Sequence, residues 1–166
     1  MERIFTRIAW FVGLVLVQVL LLNKICLFDL ATPFIYIYFV LALDKDIDRN
    51  ALMIMAFTLG LAVDVFSNTP GVNAAASVFV AFMRPGLLRL FSPRDEYENF
   101  EPGIYTLGVW AFVRYVVVAT LLHHTVLFFL EAFSFANAGY LLLRILCSTL
   151  LTVMMIMTLE FLRHKR

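Results

Sequence analysis

The sequence alternates between long apolar runs and short polar stretches, a pattern that predicts an all-α bundle of membrane helices. The apolar runs are Ile8–Leu22, Phe34–Leu43, Ala51–Phe66, Gly71–Leu90, Ile104–Leu130 and Leu141–Leu162. A helix that crosses a hydrocarbon core of about 30 Å needs about 20 mostly apolar residues. With the second run extended back to Cys26, the pattern predicts about six transmembrane helices in a single integral membrane domain of residues 1–166, over 8–22, 26–43, 51–66, 71–90, 104–130 and 141–162.

The second run is the weakest of the six. Phe34–Leu43 alone is too short to span a bilayer, and Asp29, Thr32 and Pro33 lie directly before it. It reaches span length only when residues 26–28 are included or when the helix is thin or tilted. The alternative is a re-entrant or interfacial segment, which is typical of apolar runs of about 10–14 residues.

The composition indicates that this pattern belongs in lipid. Hydrophobic residues make up 63% of the chain and charged residues 15%. Soluble domains contain about 45–50% apolar and about 25% charged residues. This number of polar side chains is too small to cover the surface of a soluble domain of 166 residues. We therefore expect lipid to contact much of the protein.

The positions of lysine and arginine predict the orientation. With six spans and both termini in the cytoplasm, ten basic residues lie inside, Lys24 lies outside, and Arg114 and Arg144 lie within spans. The ten are Arg3, Arg7, Lys45, Arg49, Arg84, Arg89, Arg94, Arg163, Lys165 and Arg166. This bias follows the positive-inside rule. The six-span arrangement keeps all ten of these residues on one side of the membrane, so the charges favour six spans over five.

Asp64 lies inside the third predicted span, near its outer end. A carboxylate within the membrane is costly and usually faces the bundle interior with a partner. Gly60, Asp64 and Asn68 are spaced four apart and therefore share one helix face. Thr69 before Pro70 is typical of an N-cap followed by proline at the first helical position. We therefore expect the fourth helix to begin beside Asp64 and to stabilise the carboxylate with its free N–H groups.

The role of Asp64 has three interpretations at this point. It clamps the turn, it forms part of a ligand or partner site, or it belongs to a proton or ion relay, for which no chain of carboxylates is found. Arg144, near the start of the sixth span, matches Asp64 best in depth, since both lie within roughly 10 Å of the outer boundary at about 1.5 Å per residue. Arg114 lies deeper and is the competing partner, and either intramembrane arginine is a functional candidate.

Small residues open the fourth span, where Gly71 and Ala75 are four apart and therefore share a face. Further small residues recur at helical spacing, at Ala74, Ser77 and Ala81. Faces of this kind allow membrane helices to approach closely. The stripe either packs inside the bundle or docks the helix of a partner.

Arg84 and Pro85 come about two-thirds of the way along the same span. Proline within a helix removes one hydrogen bond and bends the helix. The arginine can extend its head to the inner interface, and Glu160, at a similar depth in the sixth span, is a candidate partner.

The sequence carries none of the common motifs of an enzyme. HExxH, GxSxG, Walker and GxGxxG patterns are missing, and the polar loops are too short to build a soluble active site. His123 and His124 are adjacent, point about 100° apart on a helix and have no evident third ligand. Cys26 and Cys147 form no metal or redox motif. We therefore predict no catalytic residues, no metal, no cofactor and no nucleic-acid partner.

The segment from Gly60 to Ala75, GLAVDVFSNTPGVNAA, resembles the rod shape-determining protein family MreD. That family carries a glycine, an aspartate four residues later, a turn that ends in glycine, and an alanine-rich helix start. The stretches Val78–Pro85 and Leu90–Asp95 are similar to the continuation in some members. The resemblance therefore singles out Gly60, Asp64, Asn68, Pro70, Gly71, Asn73 and Ala75 as structural or partner-binding candidates, together with Arg84 and Pro85.

The resemblance implies a non-enzymatic scaffold of the cell-elongation machinery in the bacterial inner membrane. Its partner would be MreC, a bitopic protein, and it would act alongside the MreB filament and the RodA glycosyltransferase with its transpeptidase. The family's fold is similar to the substrate-binding subunits of energy-coupling-factor vitamin transporters, so a transporter subunit with a solute pocket is the alternative. The predicted outer loops are short and mostly apolar, which favours the scaffold.

Overall fold

The computed structural model describes residues 2–27, 30–92, 100–132 and 137–163. Within these ranges every regular element is a helix, as the pattern predicts. The elements are α1 Glu2–Leu20, a 3₁₀ turn at Leu22–Lys24, α2 Ile37–Ala42, α3 Arg49–Ser67, α4 Val72–Phe91, α5 Ile104–Leu107, α6 Val109–Ala132 and α7 Ala138–Arg163.

Five helical segments are long and apolar enough to cross a membrane, which indicates a multi-pass membrane protein. They are Phe5–Lys24, Arg49–Ser67, Val72–Phe91, Val109–Ala132 and Ala138–Arg163. Five of the predicted spans are therefore confirmed as membrane-length helices. Among the basic residues assigned to the inner side, Arg94, Lys165 and Arg166 lie outside the described residues.

The fifth predicted span, 104–130, is divided in the structure. Gly108 has φ +78 and separates the single turn α5 from α6, which begins at Val109. A positive φ is strained for residues other than glycine. The chain therefore changes direction at Gly108 before it enters the long helix.

The predicted membrane helix over 26–43 is wrong over most of its length. Of its described residues, only Ile37–Ala42 form an α-helix, and the chain from Thr32 to Phe34 has no regular structure. Pro33 has no backbone N–H to donate. Phe34 to Leu41 are nevertheless buried. The run is thus a largely non-helical internal segment surrounded by the long helices, and not a lipid-facing helix.

Side chains of α1 and α7 satisfy the unwound backbone of this segment. The N–H of Thr32 donates to Ser148 Oγ at 3.1 Å, and the N–H of Phe34 donates to Thr152 Oγ1 at 3.0 Å. Gln18 accepts from the N–H of Ile35 at 2.9 Å and donates to the carbonyl of Pro33. Non-helical backbone at membrane depth is tolerated only where protein groups or water pair with it, and here protein groups do so.

The internal segment connects the two ends of the bundle. At one end Asn23 donates to Ser67 Oγ at the end of α3 at 2.7 Å. At the other end Arg7, near the start of α1, forms an ion pair with Asp44. The chain between Asn23 and Asp44 therefore returns from the end where α1 stops to the end where α1 starts.

The long helices pack mainly against their neighbours in sequence. α3 packs on α4, α4 on α6, and α6 on α7. Asp48 begins α3 by accepting hydrogen bonds from the N–H groups of Asn50 and Ala51, the usual pattern of an N-cap. The short turn between α3 and α4 brings Asp64 to the beginning of α4.

Candidate functional site

Asp64 lies in the last full turn of α3 and is almost completely buried, with 2% of its surface exposed. One carboxylate oxygen, Oδ1, accepts from Thr69 Oγ1, from the N–H of Asn73 and from Asn73 Nδ2, each at 2.9 Å. The other, Oδ2, accepts from the N–H of Ala74 at 2.9 Å. A buried carboxylate is tolerated when donors surround it, and here four donors do so.

Asp64 takes the place of the side-chain cap that α4 lacks. The N-cap position is Gly71, which has no side chain to accept a hydrogen bond. A capping side chain normally accepts from the second and third N–H groups of its helix, which in α4 belong to Asn73 and Ala74. Asp64 accepts both, and its charge interacts favourably with the positive end of the helix. The expected support of Asp64 by α4 is therefore confirmed.

The predicted N-cap at Thr69 with Pro70 at the first helical position is wrong. Both residues lie in the turn, and α4 begins at Val72. The hydroxyl of Thr69 donates to Asp64 and accepts from Asn73 Nδ2 at 3.0 Å. The turn is thus longer than the pattern of Thr69 and Pro70 suggests, because a residue from the preceding helix provides the cap.

Two residues with positive φ shape the turn between α3 and α4. Asn68 has φ 55 and ends α3, with its N–H donating to the carbonyl of Asp64. Gly71 has φ 82. Asparagine and glycine are the residues that most readily adopt this left-handed conformation at helix ends. Both candidates therefore have a conformational role.

Gly60 sets the distance between α3 and α4. A Cβ atom at this position would lie 2.5 Å from the Cα of Ala74 and 2.6 Å from the carbonyl oxygen of Asn73. No side chain larger than hydrogen fits there without moving the backbone. Gly60 and Asp64 lie on the same face, as their spacing predicts, and the close approach at Gly60 holds α4 within reach of the carboxylate.

The hydrogen bonds continue from Asp64 into the centre of the bundle. Because a carboxylate only accepts, the amide nitrogen of Asn73 faces Asp64 and its oxygen is an acceptor. Tyr36 in the internal segment donates to that oxygen at 2.9 Å, and its hydroxyl lies 2.9 Å from His123 Nε2 on α6. With the Tyr36 proton used for Asn73, Nε2 of His123 is the donor. We call Asp64, Thr69, Asn73, Tyr36 and His123 the polar cluster.

The polar cluster joins the α3–α4 hairpin to two parts of the chain that are distant from it in sequence, the internal segment and α6. Asp64, Asn73, Tyr36 and His123 are all buried. Their hydrogen bonds are directed at one another, so this part of the cluster links elements. Nδ1 of His123 is the exception, since it is buried and has no hydrogen-bond partner among the described residues.

Neither predicted arginine pairs with Asp64. Arg144 forms an ion pair with Glu131 at 3.0 Å and lies over the ring of Phe128 at 4.3 Å. Glu131 lies in the last turn of α6 and Arg144 lies in the second turn of α7, so the ion pair joins these two helices. Arg114 is exposed, five residues into α6. The predicted charged partner is wrong because main-chain donors of α4 already surround Asp64.

Arg84 is buried, but its partners are carbonyl groups rather than Glu160. It donates to the carbonyl oxygens of Leu41, Leu43 and Asp44. Leu41 lies in the last turn of α2, and Leu43 and Asp44 follow it. A positive charge interacts favourably with this C-terminal end of a helix. Arg84 therefore anchors the internal segment to α4, which continues through Pro85 to Phe91.

Glu160 has partners of its own at the same end of the bundle. It accepts from the hydroxyl of Tyr38 and from the N–H of Ile104 at 3.3 Å. The predicted pairing with Arg84 is therefore replaced by contacts with the internal segment and with the start of α5.

Sequence reasoning missed several polar residues that hold the internal segment, chiefly Gln18 and Tyr36. Gln18 is the one amide within the first apolar run, and it is fully buried. A polar side chain inside an otherwise apolar span is costly unless it is paired. That signal, read together with the weak second run, would have pointed to a non-helical neighbour for α1.

His123 and His124 lie side by side with ring centroids 5.5 Å apart and planes at 89°. Nδ1 of His124 lies 2.8 Å from the carbonyl oxygen of Thr120. Within the described ranges no group of three histidine, cysteine or acidic side chains is placed to hold a metal ion. Both cysteines in these ranges are free thiols.

Comparisons with known proteins add no family to this geometry. No protein-family model, curated protein or solved structure matches the chain. The resemblance of Gly60–Ala75 to the MreD family therefore remains a hypothesis drawn from the sequence.

Replacing Tyr36 by phenylalanine tests whether the polar cluster contributes to stability. The change leaves Asn73 Oδ1 and His123 Nε2 buried without their shared partner. We expect a loss of about 1–3 kcal/mol in the free energy of unfolding, the usual cost of leaving a buried polar group unsatisfied. Unfolding in mixed micelles measures it, and an unchanged free energy would contradict the assigned role of the hydroxyl.

Proposed function

We propose that the chain is a non-enzymatic membrane scaffold of the bacterial cell-elongation machinery in the inner membrane. Its direct partner is an MreC-type bitopic protein, and through that protein it acts with the MreB filament, RodA and the transpeptidase. The observation that carries the proposal is the MreD-like segment Gly60–Ala75, whose distinctive residues build the close α3–α4 contact and its cap.

The geometry of this segment suits a structural role. The two oxygens of Asp64 already accept four hydrogen bonds. The absence of a side chain at Gly60 allows α3 and α4 to pack in backbone contact. Since the motif's polar groups face one another, they support a rigid hairpin rather than a reactive site.

A groove on the outer surface of this hairpin offers a place for a partner's helix. Its floor is formed by small residues of α4, Gly71, Ala74 and Ala75. Its walls are Met53, Phe57, Leu61, Val78, Phe79 and Phe82. Small residues allow a second membrane helix to approach its backbone closely. We call this surface the α3–α4 groove, and the single transmembrane helix of the bitopic partner is its proposed occupant.

The alternative function is a substrate-binding subunit of a vitamin-type transporter. A solute site of that kind needs polar groups that point into an accessible cavity. The outer-half polar side chains Gln18, Asp64 and Asn73 are instead buried and bonded within the protein. Their arrangement favours the scaffold.

The proposed topology has six crossings with both termini in the cytoplasm, the second crossing being the internal segment. Two observations support it. The segment runs from the Asn23–Ser67 end of the bundle to the Arg7–Asp44 end. The Lys/Arg distribution favours the Asp44 end as the cytoplasmic one.

Cysteine labelling tests this topology. In a chain whose native cysteines are replaced by serine, we expect a cysteine at Asn68 to react with a membrane-impermeant thiol reagent added from outside. A cysteine at Asp46 should react only after the membrane is opened, because this exposed position lies at the opposite end of α3. External labelling of a cysteine at Asp46 but not at Asn68 would show that α3 crosses the membrane in the opposite direction. External labelling at both positions would show that α3 does not cross. Either result would contradict the proposed topology.

Blocking the groove tests the partner assignment. Ala75→Phe fills the α3–α4 groove from an exposed position, so the bundle should stay folded while an MreC-type helix is lost in co-purification. Leu150→Phe enlarges an exposed side chain of α7 (65% exposed) and is the matched control. Retention of the partner by Ala75→Phe, or equal loss in both variants, would contradict the groove as the docking site.

A further inference from the structure

A cavity of about 280 Å³ lies between α1 and the end of α7, at the end of the bundle that carries Asp44. Its charged lining residues are Arg7, Asp44, Glu101 and Arg163. Trp10 and Phe39 are among its apolar lining residues. The cavity thus combines two cations, two anions and aromatic surface at one edge of the membrane-spanning helices, and it is separate from the polar cluster and from the α3–α4 groove.

The charged groups of the cavity are arranged as two ion pairs. Arg7 pairs with Asp44, and Arg163 pairs with Glu101. The four side chains are about one-quarter to one-half exposed, with the highest value, 48%, at Glu101. Exposed pairs of this kind contribute little to stability. They remain accessible to a ligand that supplies its own positive and negative groups.

Aromatic groups hold Arg163 in position over the cavity. Its guanidinium lies 5.8 Å from the centre of the Trp10 ring, and it donates to the hydroxyl of Tyr38 at 3.3 Å. A guanidinium presents a planar fork of donors that matches phosphate oxygens. Tryptophan is enriched at the level of lipid headgroups, which fits a site at the membrane interface.

An apolar surface continues from the cavity along α1. A second depression is lined by Phe5, Thr6, Ala9 and Trp10, and it shares Thr6 and Trp10 with the cavity. Phe5 is 78% exposed. The same face of α1 continues away from the cavity with the exposed apolar side chains of Val12 and Leu16. A ligand whose polar end occupies the cavity can therefore lay an apolar chain along α1 without leaving the protein surface.

We propose that this cavity binds the headgroup of a zwitterionic glycerophospholipid of the ethanolamine class. The guanidinium groups of Arg7 and Arg163 receive the phosphate, the carboxylates of Asp44 and Glu101 receive the ammonium group, and an acyl chain follows the exposed apolar face of α1. The volume lies just below the range of about 300–1,000 Å³ that is typical of small-molecule pockets, which suits a headgroup rather than a whole lipid.

Charge balance selects a zwitterion over an anionic lipid. The charges of the two arginines and the two carboxylates sum to zero, so a net-neutral headgroup leaves no uncompensated charge in the partly desolvated site. An anionic phosphatidylglycerol headgroup would satisfy the arginines, but it would offer Asp44 and Glu101 only neutral hydroxyl donors and no positive charge. Only the zwitterion offers an ionised group both to the arginines and to the carboxylates.

Lipid titration of the purified full chain tests the proposal by native mass spectrometry. With matched acyl chains, we expect phosphatidylethanolamine to bind about tenfold more tightly than phosphatidylglycerol. Arg163→Gln should remove this preference. Arg144→Gln, which breaks an ion pair at the opposite end of α7, is the control and should preserve it.

A second variant keeps the test decisive if Arg163→Gln does not fold. Ala42→Leu places extra volume in the cavity lining while leaving every charge in place, and it should also abolish the preference for phosphatidylethanolamine. Soluble glycerophosphoethanolamine distinguishes a lipid from a free solute. We expect it to bind far more weakly than the lipid because it has no acyl chain to bury on α1.

Three results would overturn the proposal: equal affinity for the two lipids, an undiminished preference in Ala42→Leu, or binding of glycerophosphoethanolamine as tight as that of the lipid. The last result would assign the cavity to a soluble zwitterion. The lipid site does not depend on the scaffold role, since it uses other residues and another end of the bundle. Either proposal can therefore fail without the other.

Discussion

Replacing Asp64 by leucine should lower the free energy of unfolding by at least about 3 kcal/mol, since each buried donor left unsatisfied costs about 1–3 kcal/mol. The change removes the acceptor for two helix N–H groups, the Asn73 amide and the Thr69 hydroxyl. It also removes the cap of α4, because Gly71 offers no side chain in its place. The measurement is unfolding in mixed micelles, supported by the amount of folded protein in the membrane.

Asp64→Asn should be milder, with a loss of about 1–2 kcal/mol, because the amide oxygen still accepts while the amide nitrogen faces another donor. Asp64→Leu combined with Arg144→Leu serves as the control. Arg144 pairs with Glu131 and not with Asp64. The losses in the free energy of unfolding caused by the two single changes should therefore add to within about 0.3–0.5 kcal/mol in the double variant, as is usual for independent sites. A large coupling energy, or an Asp64→Leu protein as stable as the parent, would contradict the capping role.

Replacing Gly60 by alanine should destabilise the protein by about 1–3 kcal/mol, the usual cost of forcing extra atoms into a packed core. The new Cβ would meet the backbone of Ala74 at 2.5 Å. Because backbone atoms cannot turn aside as a flexible side chain does, α3 and α4 must separate. That separation should also weaken the hydrogen bonds that Asp64 makes to α4.

Gly86→Ala is the matched control in α4. A Cβ at Gly86 meets nothing within 4 Å, and alanine is favoured over glycine inside a helix by up to about 1 kcal/mol. We therefore expect Gly86→Ala to be neutral or stabilising. Equal unfolding temperatures of Gly60→Ala and Gly86→Ala would show that the close packing at Gly60 does not contribute to stability.

The features predicted well from the sequence depend on residues that are near one another in the chain. Five membrane-length helices follow from run length alone. The meeting of Asp64 with the start of α4 follows from a turn of four residues, so little freedom remains for the chain between them. Even here the cap residue was assigned wrongly, because the pattern of Thr69 and Pro70 suits a locally capped helix.

The internal segment was not predictable in the same way. Its backbone partners are the side chains of Gln18, Ser148 and Thr152, which come from the first and last long helices. A serine or threonine in a membrane helix can bond within its own helix, so its sequence gives no sign of a distant partner. The shortness of the second apolar run indicates that it does not form a regular membrane helix. It does not indicate which side chains of other helices pair with its non-helical backbone.

The predicted pairing of Arg144 with Asp64 is wrong for a different reason. Depth along a helix limits which residues can meet, but it does not say which face of the helix they occupy. Glu131 lies across the α6–α7 hairpin from Arg144 and is therefore the closer carboxylate. Asp64, surrounded by the main-chain donors of α4, needed no cation.

Purification of the chain from its native membrane in mild detergent, with identification of what accompanies it, tests the scaffold role most directly. The scaffold role predicts an MreC-type bitopic protein in the purified complex, and its loss when Ala75→Phe replaces the parent chain. A bound vitamin-type solute, or an accompanying ATP-hydrolysing module in place of the bitopic protein, would contradict it.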